Sequence, residues 1–287
     1  MPVAEINGAN ICYEVLGEDG PWVALTPGGR AAKEAVKPLA RAIAAAGYRV
    51  LIHDRRNCGA SDVVIDGEES EQEIWADDLA ELLAEVGALP VWAGGGSAGC
   101  RLSLLLTLRH THATRGLLLW SVTGGQVAAE RLGYNYYGQY IEAAERGGMA
   151  AVCETPFFKE RIEQNPSNKD RLMSMDPTRF CRVMDRWRQF FLDGADLPVI
   201  GATRAQLASI TVPACIVPGN DDVHPRKVGE GLHEILPDSE LHYLRTEAEA
   251  ALLADMSPEE VLADSRRRLA SIFIPFLDAR AKGAGAS

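Results

Sequence analysis

The sequence is poor in the features that would commit it to several common chemistries. Its six cysteines (Cys12, Cys58, Cys100, Cys153, Cys181 and Cys215) form no CxxC and no paired spacing, which leaves no zinc-ribbon or dithiol redox motif. They read as reduced thiols, and a cytoplasmic location is expected. Positive charge is short: 29 Lys+Arg against 40 Asp+Glu give a formal net charge of −11, which argues against a nucleic-acid or anionic-membrane partner. No apolar run is long enough to span a bilayer, and no basic, apolar leader opens the chain, so no membrane association is expected. Gly94, Gly96 and Gly99 fall at G-x-G-x-x-G spacing, but no acidic partner follows about 20 residues downstream. With no phosphate loop and no metal-ligand cluster either, neither a cofactor nor a metal is expected. Histidine is scarce too: the chain offers only His53, His110, His112, His224, His233 and His242.

Glycine, by contrast, is abundant, and its densest run lies in Val91-Trp-Ala-Gly-Gly-Gly-Ser97-Ala-Gly-Cys100. This stretch reads as a short apolar strand, a crowded turn and, through the leucine-rich residues 102–108, a buried helix. Within it Gly95, Ser97 and Gly99 make G-x-S-x-G, the pattern of a serine held on a sharp strand-to-helix turn. Neighbours without Cβ atoms let strand and helix approach closely there. The helix N-terminus then points unpaired N–H groups at any oxyanion formed on a substrate. An ordinary glycine loop would explain the pentapeptide alone, but not the strand before it and the helix after it.

At 287 residues, 47% hydrophobic and 24% charged, the chain has the size and balance of one elaborated α/β domain. Residues 3–16 hold Asn7-Gly8 between two alternating segments, which predicts a type I′ hairpin. Residues 22–26 form a third strand running into Pro27-Gly28-Gly29-Arg30, and residues 33–46 carry a helical stripe ended by Gly47. A strand over 48–53 leads into Asp54-Arg55-Arg56-Asn57-Cys58-Gly59-Ala60-Ser61. A helix follows over 70–87, with Trp75, Leu79, Leu82, Leu83 and Val86 on one face, and a further strand over 116–122 succeeds the elbow helix. This alternation predicts a mostly parallel, doubly wound α/β sheet whose ligands collect at the carboxyl ends of the strands.

The character changes over residues 126–205, where aromatics such as Tyr134, Tyr136, Tyr137, Phe157, Trp187 and Phe191 lie amid charged helical sequence. A helical cap over the sheet's active end is expected. Most of its aromatics would form its own core, with a few, Tyr137 among them, lining a substrate pocket. The alternating pattern returns with a strand over 210–217, the loop Pro218-Gly219-Asn220-Asp221-Asp222-Val223-His224-Pro225, a helix over 226–236 and a strand over 240–244. Ser257-Pro258-Glu259-Glu260 then suits the opening of a closing helix, and the tail 281–287 is expected to fray. The expected division is 1–125 with 206–287 as the core and 126–205 as the cap.

Taken in order, these motifs resemble those of the α/β-hydrolase superfamily. The Pro27-Gly28-Gly29-Arg30 loop stands where that family has a His-Gly oxyanion loop. The segment from Asp54 to Ser61 is similar to its D-x-R-G-x-G-x-S loop with Asn57 in place of a glycine, and the elbow is intact. The loop around Asp221 resembles the segment that carries the family's triad acid. The resemblance covers essentially the whole chain and implies an eight-stranded sheet with the cap inserted after the sixth strand. It implies Ser97 as nucleophile, the Ala98 N–H as one oxyanion donor and Gly29 or Arg30 as the second. It favours Asp221, four residues before Pro225, over Asp222 as the acid. Arg30 is also a candidate for a substrate carboxylate, against the plainer reading of a surface arginine.

The pattern fails at the base. The family's histidine follows the last strand, where this chain has Arg245-Thr-Glu-Ala-Glu-Ala-Ala251 and no histidine beyond His242. His110 and His112 suit a helix C-terminus, His233 a solvated helix face, His242 a packing role and His224 a loop hydrogen bond. His53 is then the best-placed substitute, with His224, Glu247 and Glu249 as the other candidates. A serine without a base is a poor nucleophile, so a pocket is better supported than an ordinary esterase. Three functions stay open. The preferred one is a serine-dependent hydrolase of a small apolar or aromatic ester, lactone or C–C substrate. The others are a non-hydrolytic lyase, decarboxylase or cyclase, and a non-catalytic small-molecule binder. The expected partner is a small molecule, and a homo-oligomer is left open.

Overall fold

Asn7 (φ 46°) and Gly8 (φ 74°) both adopt left-handed backbone, as a type I′ turn demands, and they join β1 (Val3–Ile6) to β2 (Ala9–Leu16) as an antiparallel hairpin. The computed structural model of the chain describes residues 2–283, so the end of the tail expected to fray lies outside the described residues. After the hairpin come β3 (Trp22–Thr26), β4 (Arg49–His53), β5 (Val91–Gly96), β6 (Thr114–Trp120), β7 (Ala214–Val217) and β8 (Ser239–Leu241). The eight strands lie in the order β1-β2-β4-β3-β5-β6-β7-β8, antiparallel at the first two pairings and parallel thereafter.

Two strands are shorter than their sequence suggests. β7 starts at Ala214 because Ile210 closes a helical turn by donating to the Leu207 carbonyl and Pro213 has no N–H to offer a ladder. β8 ends at Leu241, although His242 still donates to Ile216 at 2.9 Å before the chain leaves the sheet.

Helices cover both faces. On one, α1 (Lys37–Ala45) packs beside the closing helix α12 (Pro258–Gly283), burying Leu39 and Ile43 with Phe273 and Leu277. On the other lie α2 (Glu71–Glu85) and α3 (Ala98–Arg109), with Trp75, Leu79 and Leu83 against Leu102 and Leu106. Ser70 starts α2 with a capping box, accepting from the Glu73 N–H while Glu73 accepts from its own.

Between β6 and β7 the chain is helical: α4 (Gln126–Gly133), a π-helical turn at Tyr134–Gly138, α5 (Gln139–Cys153), α6 (Pro156–Gln164), α7 (Ser167–Met173), α8 (Pro177–Asp193) and α9 (Arg204–Ala208). These helices share an aromatic core of Tyr137, Tyr140, Phe158, Phe180, Trp187 and Phe191. That core reaches the sheet domain at Val63 and Ile65, where the Val63 N–H donates to Asn168 Oδ1 at 2.7 Å. The last two helices outside this segment are α10 (Arg226–Ile235) and the short α11 (Glu247–Ala251). No helix among the described residues is long and apolar enough to cross a membrane.

The packing separates two glycines. A Cβ on Gly99 would collide with the Thr26 carbonyl, whereas one on Gly231, inside α10, would meet nothing within 4 Å. Gly99→Ala is expected to cost about 3 kcal/mol by overpacking, and Gly231→Ala to stabilise by about 0.5–1 kcal/mol through helix propensity. Equilibrium urea unfolding of the two variants measures both.

Candidate active site

β5 delivers Ser97 to the start of α3 with φ 54° and ψ −111°, a strained conformation for a residue with a side chain. The surroundings hold it there. Its N–H donates to the Trp120 and Ser121 carbonyls, each at 3.2 Å. A Cβ on Gly95 would strike the Gly99 backbone, and one on Gly96 the Trp120 ring, so the turn closes only with these glycines. Because α3 begins at Ala98, its first N–H groups have no intrahelical acceptor and face outward beside the serine.

The loop after β3 lies against this turn. Thr26 pairs with Gly95, and a side-chain carbon on Gly28 would stand 3.4 Å from Ser97 Cβ. Gly29 follows with φ 52°, and its open side faces the Tyr136 hydroxyl, 3.6 Å from where a Cβ would be. The Ser97 hydroxyl itself lies 3.4 Å from Thr123 Oγ1, a fully buried side chain just beyond β6. Nothing in the sequence distinguishes Thr123 from other loop threonines.

Past β7, Asp221 folds its own loop. Its Oδ1 accepts the Val223 and His224 backbone N–H groups, each at 2.9 Å, and the His224 ring meets the carboxylate through Nδ1 at 2.9–3.0 Å. A side chain at Gly219 would collide with His224, so the glycine lets the ring fold back onto Asp221. Burial works against ionising Asp221, but the hydrogen bonds from His224 and Val223 outweigh it and hold the carboxyl below its ordinary range. His224 Nε2 is buried and has no hydrogen-bond partner. Asp222 is different: it is 77% exposed and meets only Arg131, at 3.4 Å. Both carboxylates are exposed, Asp221 at 62%, but the loop folds only Asp221 onto the His224 ring.

Arg30 is not a surface arginine. It is 8% exposed and its Nη2 donates to Glu71, a carboxylate with no exposed surface. Glu71 also accepts from the Tyr137 hydroxyl at 2.9 Å and from Asn57 Nδ2 at 2.8 Å. Burial opposes the charge on Arg30, and Glu71 more than restores it, so its ionisation moves upward. Burial and then Glu71 keep the Tyr137 phenol protonated. Asn57, with φ 66°, shows why asparagine can replace a glycine here: it tolerates left-handed backbone, and its amide bridges Glu71 to the Val64 N–H.

The other expected bases are placed less well. His53 is 2% exposed at the end of β4, and burial, aided by Arg55 and Lys33, lowers its pKa to about 3, which makes it a very weak proton acceptor. Glu249 is held by the Thr246 N–H, at 2.8 Å, and by Arg268, also at 2.8 Å, and these bonds lower its pKa to about 2. Glu247 only opens α11, a helix with no buried residue. His110 pairs with Asp77, His233 with Ser239 and His242 with Glu240. Cys100, three residues after Ser97, is no rival nucleophile, because burial, only partly offset by Arg101, pushes its thiol up to about 12. Among the described residues no group of three or more His, Cys, Asp or Glu side chains is placed to hold a metal ion.

Known proteins share this architecture. A family model described as alpha/beta hydrolase fold matches residues 21–139. The enol-lactonase from Burkholderia xenovorans superposes with a TM-score of 0.59 at 19% identity, over 92% of this chain and 99% of that one. A thermophilic esterase from Thermogutta terrifontis gives 0.58 at 19% identity, over 93% and 100%. The meta-cleavage product hydrolase from Pseudomonas fluorescens gives 0.59 at 16%, over 95% and 97%. The chain has the α/β-hydrolase fold. No curated protein matches it in sequence.

On this α/β-hydrolase fold, a strained serine, a helix N-terminus, a glycine loop and a carboxylate-oriented imidazole stand at the carboxyl ends of β5, β3 and β7. Such a set can perform acyl transfer. The Arg30–Glu71 pair stiffens its rim. Glu71→Gln leaves a buried guanidinium without a counter-charge and is expected to cost about 3–5 kcal/mol, while Asp222→Asn at the exposed neighbour changes stability by less than about 0.5 kcal/mol. Denaturant titration of both variants tests the contrast.

Proposed function

We propose that this protein is a serine hydrolase of a small ester, lactone or C–C substrate, in which one loop supplies both the acid and the base. The observation that carries this reading is the His224 ring, bonded through Nδ1 to Asp221 and left with a buried, unpartnered Nε2. An imidazole so held has a fixed tautomer with its acceptor nitrogen free, which is what a general base needs. The loop is also well situated: the Ser121 N–H donates to the Val217 carbonyl at the end of β7, and the Ser97 N–H reaches the Trp120 and Ser121 carbonyls.

In this reading Ser97 Oγ attacks the substrate carbonyl carbon and its proton passes to His224 Nε2. The oxyanion is held by the N–H groups of Ala98 and Gly29. Collapse expels the leaving group, which takes the proton from His224, and an acyl-serine remains. Water then attacks the acyl group, giving its proton to His224, and the acid product leaves as Ser97 is re-protonated. Asp221 stays ionised throughout and stabilises the imidazolium. The half-buried Tyr136 ring, which lies beside Gly29, suits a substrate with an aromatic or aliphatic body.

One contact favours the alternative of a non-hydrolytic enzyme on this fold: the described hydrogen bond of the Ser97 hydroxyl runs to Thr123. A fluorophosphonate probe with intact-mass detection separates the two. The hydrolase reading expects one label per chain, absent in Ser97→Ala, and about 10³–10⁴-fold slower turnover of activated esters in His224→Asn. A folded protein that stays unlabelled, or a His224→Asn variant with full activity, contradicts it.

A further inference from the structure

Four guanidiniums are buried where the cap meets the sheet: Arg30, Arg55, Arg101 and Arg161, none more than 8% exposed. Shared aromatic rings tie them into one cluster. Arg30 and Arg55 lie 6.0 and 4.4 Å from the Trp75 ring, and Arg30 and Arg161 both lie 5.1 Å from that of Phe157. Arg101 lies 4.9 Å from Phe191, which packs at 5.8 Å on both Tyr136 and Tyr137, the same rings that Arg30 approaches at 5.6 and 5.2 Å.

The carboxylates nearby are already engaged. Glu71 takes Arg30, Glu160 takes Arg161, and Asp54 takes Lys33. Arg55 and Arg101 receive none. Arg55 gives Nη2 to the Gly29 carbonyl at 2.9 Å, while its Nε and Nη1 have no partner. Arg101 has no partner at any of its three nitrogens. Arginine cannot escape this by losing its proton, and an unpaired buried cation is unfavourable. A chain with net charge −11 has carboxylates in plenty, yet none is placed here.

Both arginines also connect to the backbone around the candidate nucleophile. Arg101 is one helical turn beyond Ser97, its N–H donating to the Ser97 carbonyl at 3.2 Å, and Arg55 holds the glycine loop at Gly29. We propose that Arg101 and Arg55 form a carboxylate-recognition site beside Ser97, so that the substrate is an anion bearing a free carboxylate as well as the bond to be broken. This rests on reading the Ser97 pocket as a substrate site. A carboxylate suits the place better than a phosphate. Its two coplanar oxygens match the guanidinium fork, and the aromatic faces between the guanidiniums suit the apolar body that carries a carboxylate.

Calorimetric binding to the Ser97→Ala protein tests the site apart from catalysis. Benzoate, phenylacetate and 4-phenylbutyrate are compared with their neutral amides and with inorganic phosphate. At least one carboxylate is expected to bind tenfold or more tightly than its amide, and Arg101→Gln in the same background should bring the pair to parity. Arg101→Met should keep or raise the Tm of the unliganded protein, because it removes an unpaired buried charge. A structural arginine would instead make that variant less stable. The proposal is overturned if no carboxylate outbinds its amide, if phosphate binds in preference, if Arg101→Gln leaves the preference intact, or if Arg101→Met unfolds the chain. A carboxylate preference in a protein whose wild type takes up no fluorophosphonate would keep the anion site and discard the hydrolase reading.

Discussion

One buried carboxylate ties together the parts that surround Ser97. Glu71 accepts from Arg30 on the loop after β3, from Asn57 on the loop after β4 and from Tyr137 on the cap, and it does so from the first turn of α2. Each donor belongs to a different stretch of chain, so the position of the glycine loop depends on that of the cap. A charge with no exposed surface is tolerable only because its lone pairs are occupied. The π-helical turn at Tyr134–Gly138 contributes to this geometry, since it carries both Tyr136, which faces Gly29, and Tyr137, which reaches Glu71. Extra residues in a helical turn of this kind commonly accompany functional positions.

Arg30 Nε and Nη1 lack partners even within this frame, and the other buried polar atoms left without partners gain meaning beside it. They include His224 Nε2 and five nitrogens of Arg55 and Arg101. Most buried polar groups in a folded protein are paired, and under the proposed function a substrate supplies the partner for the unpaired ones near the strained serine. The strain at Ser97 and the left-handed Ser121 (φ 51°), whose carbonyl accepts the Ser97 N–H, belong to the same small region. Of two clefts at the cap's surface, the one beside Asp66 and Arg179 holds no such group, while the one beside Glu142 and Arg188 holds only Arg188 Nε, away from the serine turn.

Local chemistry made much of this legible in the sequence. Asn7-Gly8 fixed its turn, the Ser70 and Ser257 caps opened their helices, and the glycines around Ser97 announced the elbow, because each effect acts over a few residues. What escaped depends on distant contacts. Arg55, Arg56 and Asn57 carry no sign of burial in their residue types, yet all three are buried. Arg101 sits in a leucine-rich helix without any mark of its isolation. His224 is one of several candidate bases in the sequence, and only the Asp221 turn and the bare Gly219, which fold its ring back, set it apart. The slot after β8 could be compared only with a pattern this chain does not follow. There Arg245, Asp264, Arg268 and Glu249 form an ion cluster that anchors the segment to α12.

The central claim is that His224, from the same loop as Asp221, serves Ser97. A crystal structure of the protein soaked with phenylboronic acid tests it most directly, since boron adds to an activated serine and takes the tetrahedral shape of the intermediate. The account predicts a bond from Ser97 Oγ to boron, one boron oxygen on the Ala98 and Gly29 N–H groups, and His224 Nε2 within hydrogen-bonding distance of another. An adduct with the His224 ring turned away, or a pocket in which boron never bonds to Ser97, would contradict it.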